Sequence, residues 1–141
     1  MPSFGVRSRK NRDTCHPDLI AVLDLAIQIT DFSVIGGHRG KAAQDEAFAT
    51  GNSHVRWPKS KHNSWPSRAV DVAPWPIDWY DKEAFAYLGG VVMACGHMLG
   101  IRLRWGHDWD MDGNLHNQSF VDAPHIELIE EGAVSIPRII A

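Results

Sequence analysis

Cysteine is scarce in this chain: Cys15 and Cys95 are the only two among 141 residues and lie far apart. That excludes a zinc ribbon built on C-x-x-C spacing and a dense disulfide framework. Both are expected as free, reduced thiols, with Cys95, set among Val91, Val92, Met93, Ala94 and Met98, as a small buried hydrophobe. Long apolar runs are missing too. No stretch approaches the roughly 18 residues of a membrane span, and the N-terminus lacks the apolar core of a secretory signal. Stable membrane insertion is therefore not expected, and the chain reads as one that stays in a cytoplasm unless something releases it. Charge of one sign is in short supply as well. A formal net charge of −3 gives no global reason to bind nucleic acid. With 44% hydrophobic and 22% charged residues the composition is that of an ordinary soluble globule, and the length suits one domain spanning 1–141.

Local departures stand out against this even background. Arg7, Arg9, Lys10 and Arg12 crowd the first dozen residues, which predicts a solvated basic arm over 1–13 able to touch an anionic polymer. Six tryptophans are present. Trp57, Trp65, Trp75 and Trp79 fall in a proline-rich span, where they either line a groove or cover a small core.

Periodicity predicts a helix from Pro17 to Thr30, with Leu19, Val22, Leu23, Ala26 and Ile27 on one stripe and proline in the first turn. Phe32–Ile35 reads as a short strand ending at Gly36-Gly37, and Lys41–Thr50 as a helix stopped by Gly51. Residues 51–68 lack periodicity and read as a long functional loop. Ala69-Val70-Asp71-Val72-Ala73 alternates, turning Val70 and Val72 to the core and Asp71 to the other face between two alanines. Asp81 is a plausible N-cap for a helix reaching about Leu99, in which Gly89-Gly90 implies close packing against a neighbour. Ile101–Trp105 reads as a strand, 106–121 as a second long loop, His125–Glu130 as a final strand and 132–141 as a tail. This order argues an α+β fold, a small antiparallel sheet flanked by helices.

The chemistry sits in Ser60-Lys61-His62, Asp71 and Asp122-Ala123-Pro124-His125. His62, Asp71 and His125 offer two imidazole nitrogens and a carboxylate, a set that suits tetrahedral Zn²⁺ with the fourth position open for water. Spacing alone does not single them out, because eight histidines occur. Asp122, three residues before His125, is close enough to act as the base, with a turn role before Pro124 as the plain alternative. Glu127 shares a strand face with His125 and either orients that ligand from behind or is a surface charge.

Gly37-His38-Arg39 with Gln44, Ser60-Lys61-His62, Arg68-Ala69-Val70-Asp71-Val72-Ala73-Pro74, Trp105-Gly106-His107-Asp108-Trp109 and Asp122-Ala123-Pro124-His125-Ile126-Glu127-Leu128 follow one another in an order that resembles a known family. It is the zinc D-Ala-D-Ala peptidases of VanY and VanX type, and most closely their short branch, the phage L-alanyl-D-glutamate peptidase endolysins. The resemblance implies that His62, Asp71 and His125 are zinc ligands, that Asp122 is the catalytic acid/base, where many relatives carry glutamate, and that Arg39 meets the scissile carbonyl. Gln44 falls in the same substrate-binding region. His62 and Asp71 are separated by eight residues, more than the commonest family spacing, so Trp65-Pro66-Ser67 must bulge outward. No second module follows His125, so any wall binding is expected from the catalytic domain itself.

Asp108-Trp109-Asp110-Met111-Asp112-Gly113 repeats the D-x-D-x-D-G opening of a calcium loop but has Ser119 where the twelfth-position glutamate belongs, leaving Ca²⁺ binding or a plain acidic loop. Lys61 and Arg68 are candidates to pair with substrate carboxylates. Taken together, the sequence reads as a monomeric zinc endopeptidase of peptidoglycan, held in the host cytoplasm until a membrane pore lets it reach the wall. A D,D- or L,D-carboxypeptidase and a noncatalytic zinc-containing wall-binding module are the rival readings.

Overall fold

The computed structural model describes residues 2–129. In chain order it contains helices α1 (Val6–Arg12) and α2 (Pro17–Ala26), strand β1 (Phe32–Gly36), helix α3 (Lys41–Ala49), a 3₁₀ turn (Lys61–Asn63), strand β2 (Ala69–Pro74), helix α4 (Lys82–Met98) and strands β3 (Leu103–Trp105) and β4 (His125–Leu128). The strands form one antiparallel sheet in the order β1-β2-β4-β3. The α+β fold with a small antiparallel sheet is therefore observed. Glu130 and the expected tail over 132–141 lie outside the described residues.

The apolar stripes do the assembling. Leu19, Val22, Leu23 and Ala26 of α2 and Phe85, Leu88, Val92 and Cys95 of α4 are buried, and the two helices pack on each other. Helix α4 also lies against β2 and β3, where Val70, Val72, Leu103 and Trp105 complete the core with Val34 and Ile126. Each such side chain contributes about 1.5–3 kcal/mol on full burial, so packing rather than helix propensity holds these elements. Asp81 caps α4, its carboxylate accepting from the Ala84 N–H at 3.0 Å. The expected close approach at Gly89 is the Trp105 indole, whose Cζ2 would stand 2.1 Å from a Cβ built there. Both cysteines are free and buried.

Element ends differ from expectation where local hydrogen bonds intervene. Helix α2 stops at Ala26 because Gln28 and Ile29 donate to Leu25 and Ala26, three residues back, tightening the chain into a turn. Strand β3 starts at Leu103 because the Ile101 N–H is used in closing α4, on the Gly96 carbonyl.

The basic N-terminal arm is not a solvated tail. Residues Val6–Arg12 are helical, Phe4 is buried edge-on against Phe32 with ring centroids 5.3 Å apart, and α1 covers the edge of β1. The Ser8 hydroxyl accepts from Val34 N–H at 3.0 Å and Asn11 Nδ2 donates to Val34 C=O at 2.9 Å. Two side chains thus satisfy backbone groups that an edge strand would leave open. The charge pattern hid a short helix, preceded by the buried Phe4 that anchors the segment.

Candidate metal centre

Strand register brings the first two ligands together. In the β2–β4 pair Asp71 stands directly opposite His125, and burial of Val70 and Val72 leaves Asp71 on the opposite face. The third comes from the long loop, where the 3₁₀ turn is pinned at both ends. The Ser60 hydroxyl accepts from His62 N–H at 3.2 Å and Asn63 Oδ1 accepts from Ser60 N–H at 3.1 Å, a capping box. His62 C=O then accepts from Arg39 N–H at 2.7 Å. The longer His-to-Asp spacing is absorbed outward: Trp65 is 69% exposed.

The three donor atoms trace one face of a tetrahedron. His62 Nε2 lies 3.3 Å from His125 Nδ1 and 3.4 Å from Asp71 Oδ1, and His125 Nδ1 lies 3.7 Å from Asp71 Oδ1. Ligands about 2.0–2.1 Å from a tetrahedral zinc are separated from one another by roughly 3.3–3.4 Å. Both imidazoles are locked in the tautomer this requires. His62 Nδ1 lies 2.8 Å from the Gly37 carbonyl, which only accepts, so its Nε2 carries the lone pair. His125 Nε2 lies 2.8 Å from Glu127 Oε1, so its Nδ1 does the same. Two lone pairs and a carboxylate oxygen converge on one point, a set that could hold a metal ion.

Electrostatics agree. Burial opposes the Asp71 charge, yet hydrogen bonds from His125 and His62, and their charge, hold its carboxyl well below the usual range. Burial would lower His125, but Asp71 and Glu127 outweigh it and raise it to about 9. A site that favours a proton this strongly favours a metal cation for the same reason. Asp122 is opposite in character. Burial first, then the Asp71 charge, raises its pKa against the cations of His125, His62 and Arg39. A carboxyl biased toward its protonated form suits general acid/base work. The strap carrying it is fixed by Asp122 N–H on Gly106 C=O at 2.7 Å, and a Cβ at Gly106 would fall 2.1 Å from the Asp122 carbonyl oxygen, so only glycine permits this approach.

Arg39 reaches the cluster with Nη2 3.6 Å from Asp71 Oδ2. Its Nη1 donates to Gln44 Oε1 at 2.9 Å. Gln44, expected at the substrate, is instead fully buried and spends its amide on Ser53 and Val55; it positions Arg39. Glu127 lies behind His125 and is no surface charge, being buried and paired with Arg104 Nη2 at 2.8 Å and Lys61 Nζ at 3.2 Å.

A cavity of about 320 Å³ opens over the cluster, lined by His62 and His125, by Arg39 and Asp122, and by Lys61 and Arg104. Its rim joins the two long loops through the His54 and Phe120 rings, 4.1 Å apart, with Trp109 stacked beyond. Arg68, unlike Lys61, is not among its lining residues. Nor does any of Trp57, Trp65, Trp75 and Trp79 line it. Three of these are exposed, and Trp79 borders a second cavity with His107 and His116. Sequence reasoning did not assign His54, Arg104, Trp109 or Phe120 to the site, because their placement depends on strand pairing and loop closure. In the acidic loop Asp108, Asp110 and Asp112 each bring a carboxylate oxygen within 4.8 Å of the others.

Comparisons with known proteins fit this geometry. The family described as phage L-alanyl-D-glutamate peptidase matches residues 2–129. The L-alanyl-D-glutamate peptidase of Escherichia phage T5 is 36% identical over 135 residues, covering 89% of this chain and 97% of that protein. The crystal structure of the Serratia marcescens L-Ala D-Glu endopeptidase ChiX superposes with a TM-score of 0.71 at 28% identity, covering 91% of each chain.

Proposed function

The chain belongs to the phage L-alanyl-D-glutamate peptidase family and is a peptidase, and we propose that it cleaves the L-alanyl-D-glutamate bond of peptidoglycan stems with zinc held by His62, Asp71 and His125, lysing the host of a bacteriophage. The observation that carries the metal assignment is the triangle of donor atoms at tetrahedral spacing, with both imidazole tautomers fixed from behind. Bound there, zinc supplies Lewis-acid polarisation of a carbonyl and brings the pKa of water near 7.

The chain's own residues supply the rest. Asp122, on the cavity wall, takes the proton of the attacking water and returns it to the leaving amine. Arg39, held in place by Gln44, presents its guanidinium to the oxyanion as charge develops. Lys61 lies on the same wall and adds positive potential for an anionic stem.

The enzyme acts as a single-domain monomer on peptidoglycan, without nucleic acid, from the host cytoplasm and through a membrane pore. No described helix is long and apolar enough to cross a membrane itself. The Asp108, Asp110 and Asp112 loop takes Ca²⁺. Asp108, Asp110 and Asp112 each offer a carboxylate oxygen within 4.8 Å of the others, hard donors of the kind Ca²⁺ takes. Terbium luminescence sensitised by Trp109 and displaced by calcium is the expected signature; no sensitised emission would refute calcium binding.

The activity is tested by digesting purified peptidoglycan and identifying the new amino terminus by mass spectrometry. A glutamyl terminus is expected. Free terminal D-alanine as the only product would establish a carboxypeptidase instead.

A further inference from the structure

We infer that Arg104 is a specificity residue that binds the free carboxylate of the glutamyl residue on the leaving side of the scissile bond. The inference rests on the peptidase reading above. A glutamyl residue has two carboxyl groups; one continues the stem and the other remains, so an enzyme that cuts before it must receive an anion one residue from the reacting carbonyl.

The cations on the cavity wall are not equally able to receive it. Arg39 is held between Asp71 and Gln44 beside the metal cluster. Lys61 is drawn to Glu127 and to the Leu128 carbonyl. Lys59 is exposed, where water and salt screen it. Arg104 binds Glu127 through Nη2 alone, at 2.8 Å. Its side chain is 39% exposed, and its guanidinium carbon stands over the Trp109 ring, 5.7 Å from its centre, within cation–π reach. Its Nε is buried without a hydrogen-bond partner.

Position points the same way. Arg104 stands two hydrogen bonds from a metal-binding imidazole, through Glu127. A substrate carboxylate accepts from its fork, whose geometry matches it.

The test compares two synthetic stem peptides, one with the free glutamyl carboxylate and one with that group as a carboxamide, cleaved by zinc-loaded wild type and by Arg104→Gln. The wild type is expected to favour the carboxylate peptide by tenfold or more in kcat/KM, and Arg104→Gln to bring the ratio close to one. Disturbance of the fold or of His125 slows both peptides alike and cancels in the ratio. A wild-type ratio near one, or a ratio retained in the variant, overturns the inference. If Arg104→Gln does not fold, Arg104→Lys serves, with a fall in the ratio of at least threefold expected and an unchanged ratio contrary. Wild type that cleaves neither peptide would instead defeat the peptidase reading.

Discussion

Glu127→Gln removes one charge and almost no volume, and its effect can be worked out from the structure. The Glu127 carboxylate accepts from His125 Nε2 at 2.8 Å and Arg104 Nη2 at 2.8 Å and pairs with Lys61 Nζ at 3.2 Å. Glutamine offers one acceptor oxygen; if that stays on His125, its NH₂ group confronts two cations. Burial opposes the Glu127 charge, but the His125 hydrogen bond and charge, then Arg104 and Lys61, outweigh it and lower the pKa from 4.5 to about 2. At about 1.36 kcal/mol per unit this is roughly 3 kcal/mol. A depressed carboxyl pKa stabilises the fold above the unfolded value near 4.5, and the contribution disappears as pH falls toward 2. The rise of His125 is the other side of the same pairing and is not added. Because charged His125 supplies part of the shift, the figure applies to the metal-free chain. Urea unfolding of metal-free Glu127→Gln is expected to show a loss of about 1–3 kcal/mol at neutral pH and a flatter acid profile between pH 4.5 and 2. Zinc affinity, read by competition with a chromophoric chelator, is expected to fall 10- to 100-fold, since the imidazole loses its ionic anchor. Equal zinc affinity together with an unchanged acid profile would refute the reasoning.

Asp122→Ala is expected to reduce kcat by about 10²–10⁴-fold while zinc content and thermal unfolding stay as in the wild type; retained hydrolysis would remove Asp122 from the mechanism. Asp122 must be ionised to act as the base, so kcat/KM should fall with decreasing pH, and that limb should vanish from the residual activity of Asp122→Ala. Gly106→Ala places a methyl group against the Asp122 carbonyl, so kcat/KM is expected to drop tenfold or more with zinc binding preserved, as measured by steady-state kinetics beside metal analysis.

Much of the fold was legible because burial repeats with the period of the element. The 19, 22, 23, 26 stripe, the Asp81 cap and the alternation around Asp71 all appear where local pattern placed them. The cluster of His62, Asp71 and His125, which could hold a metal ion, was legible through motif order rather than spacing. What the sequence could not reveal depends on partners distant in the chain. The basic arm concealed α1 because Ser8 and Asn11 work only against the edge of β1. Gln44 looked like a substrate contact until its amide was found buried between Arg39, Ser53 and Val55. Arg104 drew no notice because its role depends on standing opposite Glu127 in the β3–β4 pair.

The central claim is that one zinc ion, gripped by His62, Asp71 and His125, makes this chain a peptidase. Its most direct test strips the protein with a chelator, restores zinc in measured steps and follows cleavage of an L-alanyl-D-glutamyl stem peptide. The account predicts that cleavage disappears on stripping and returns in proportion to zinc up to one equivalent per chain. Full activity in the verified metal-free protein would contradict it.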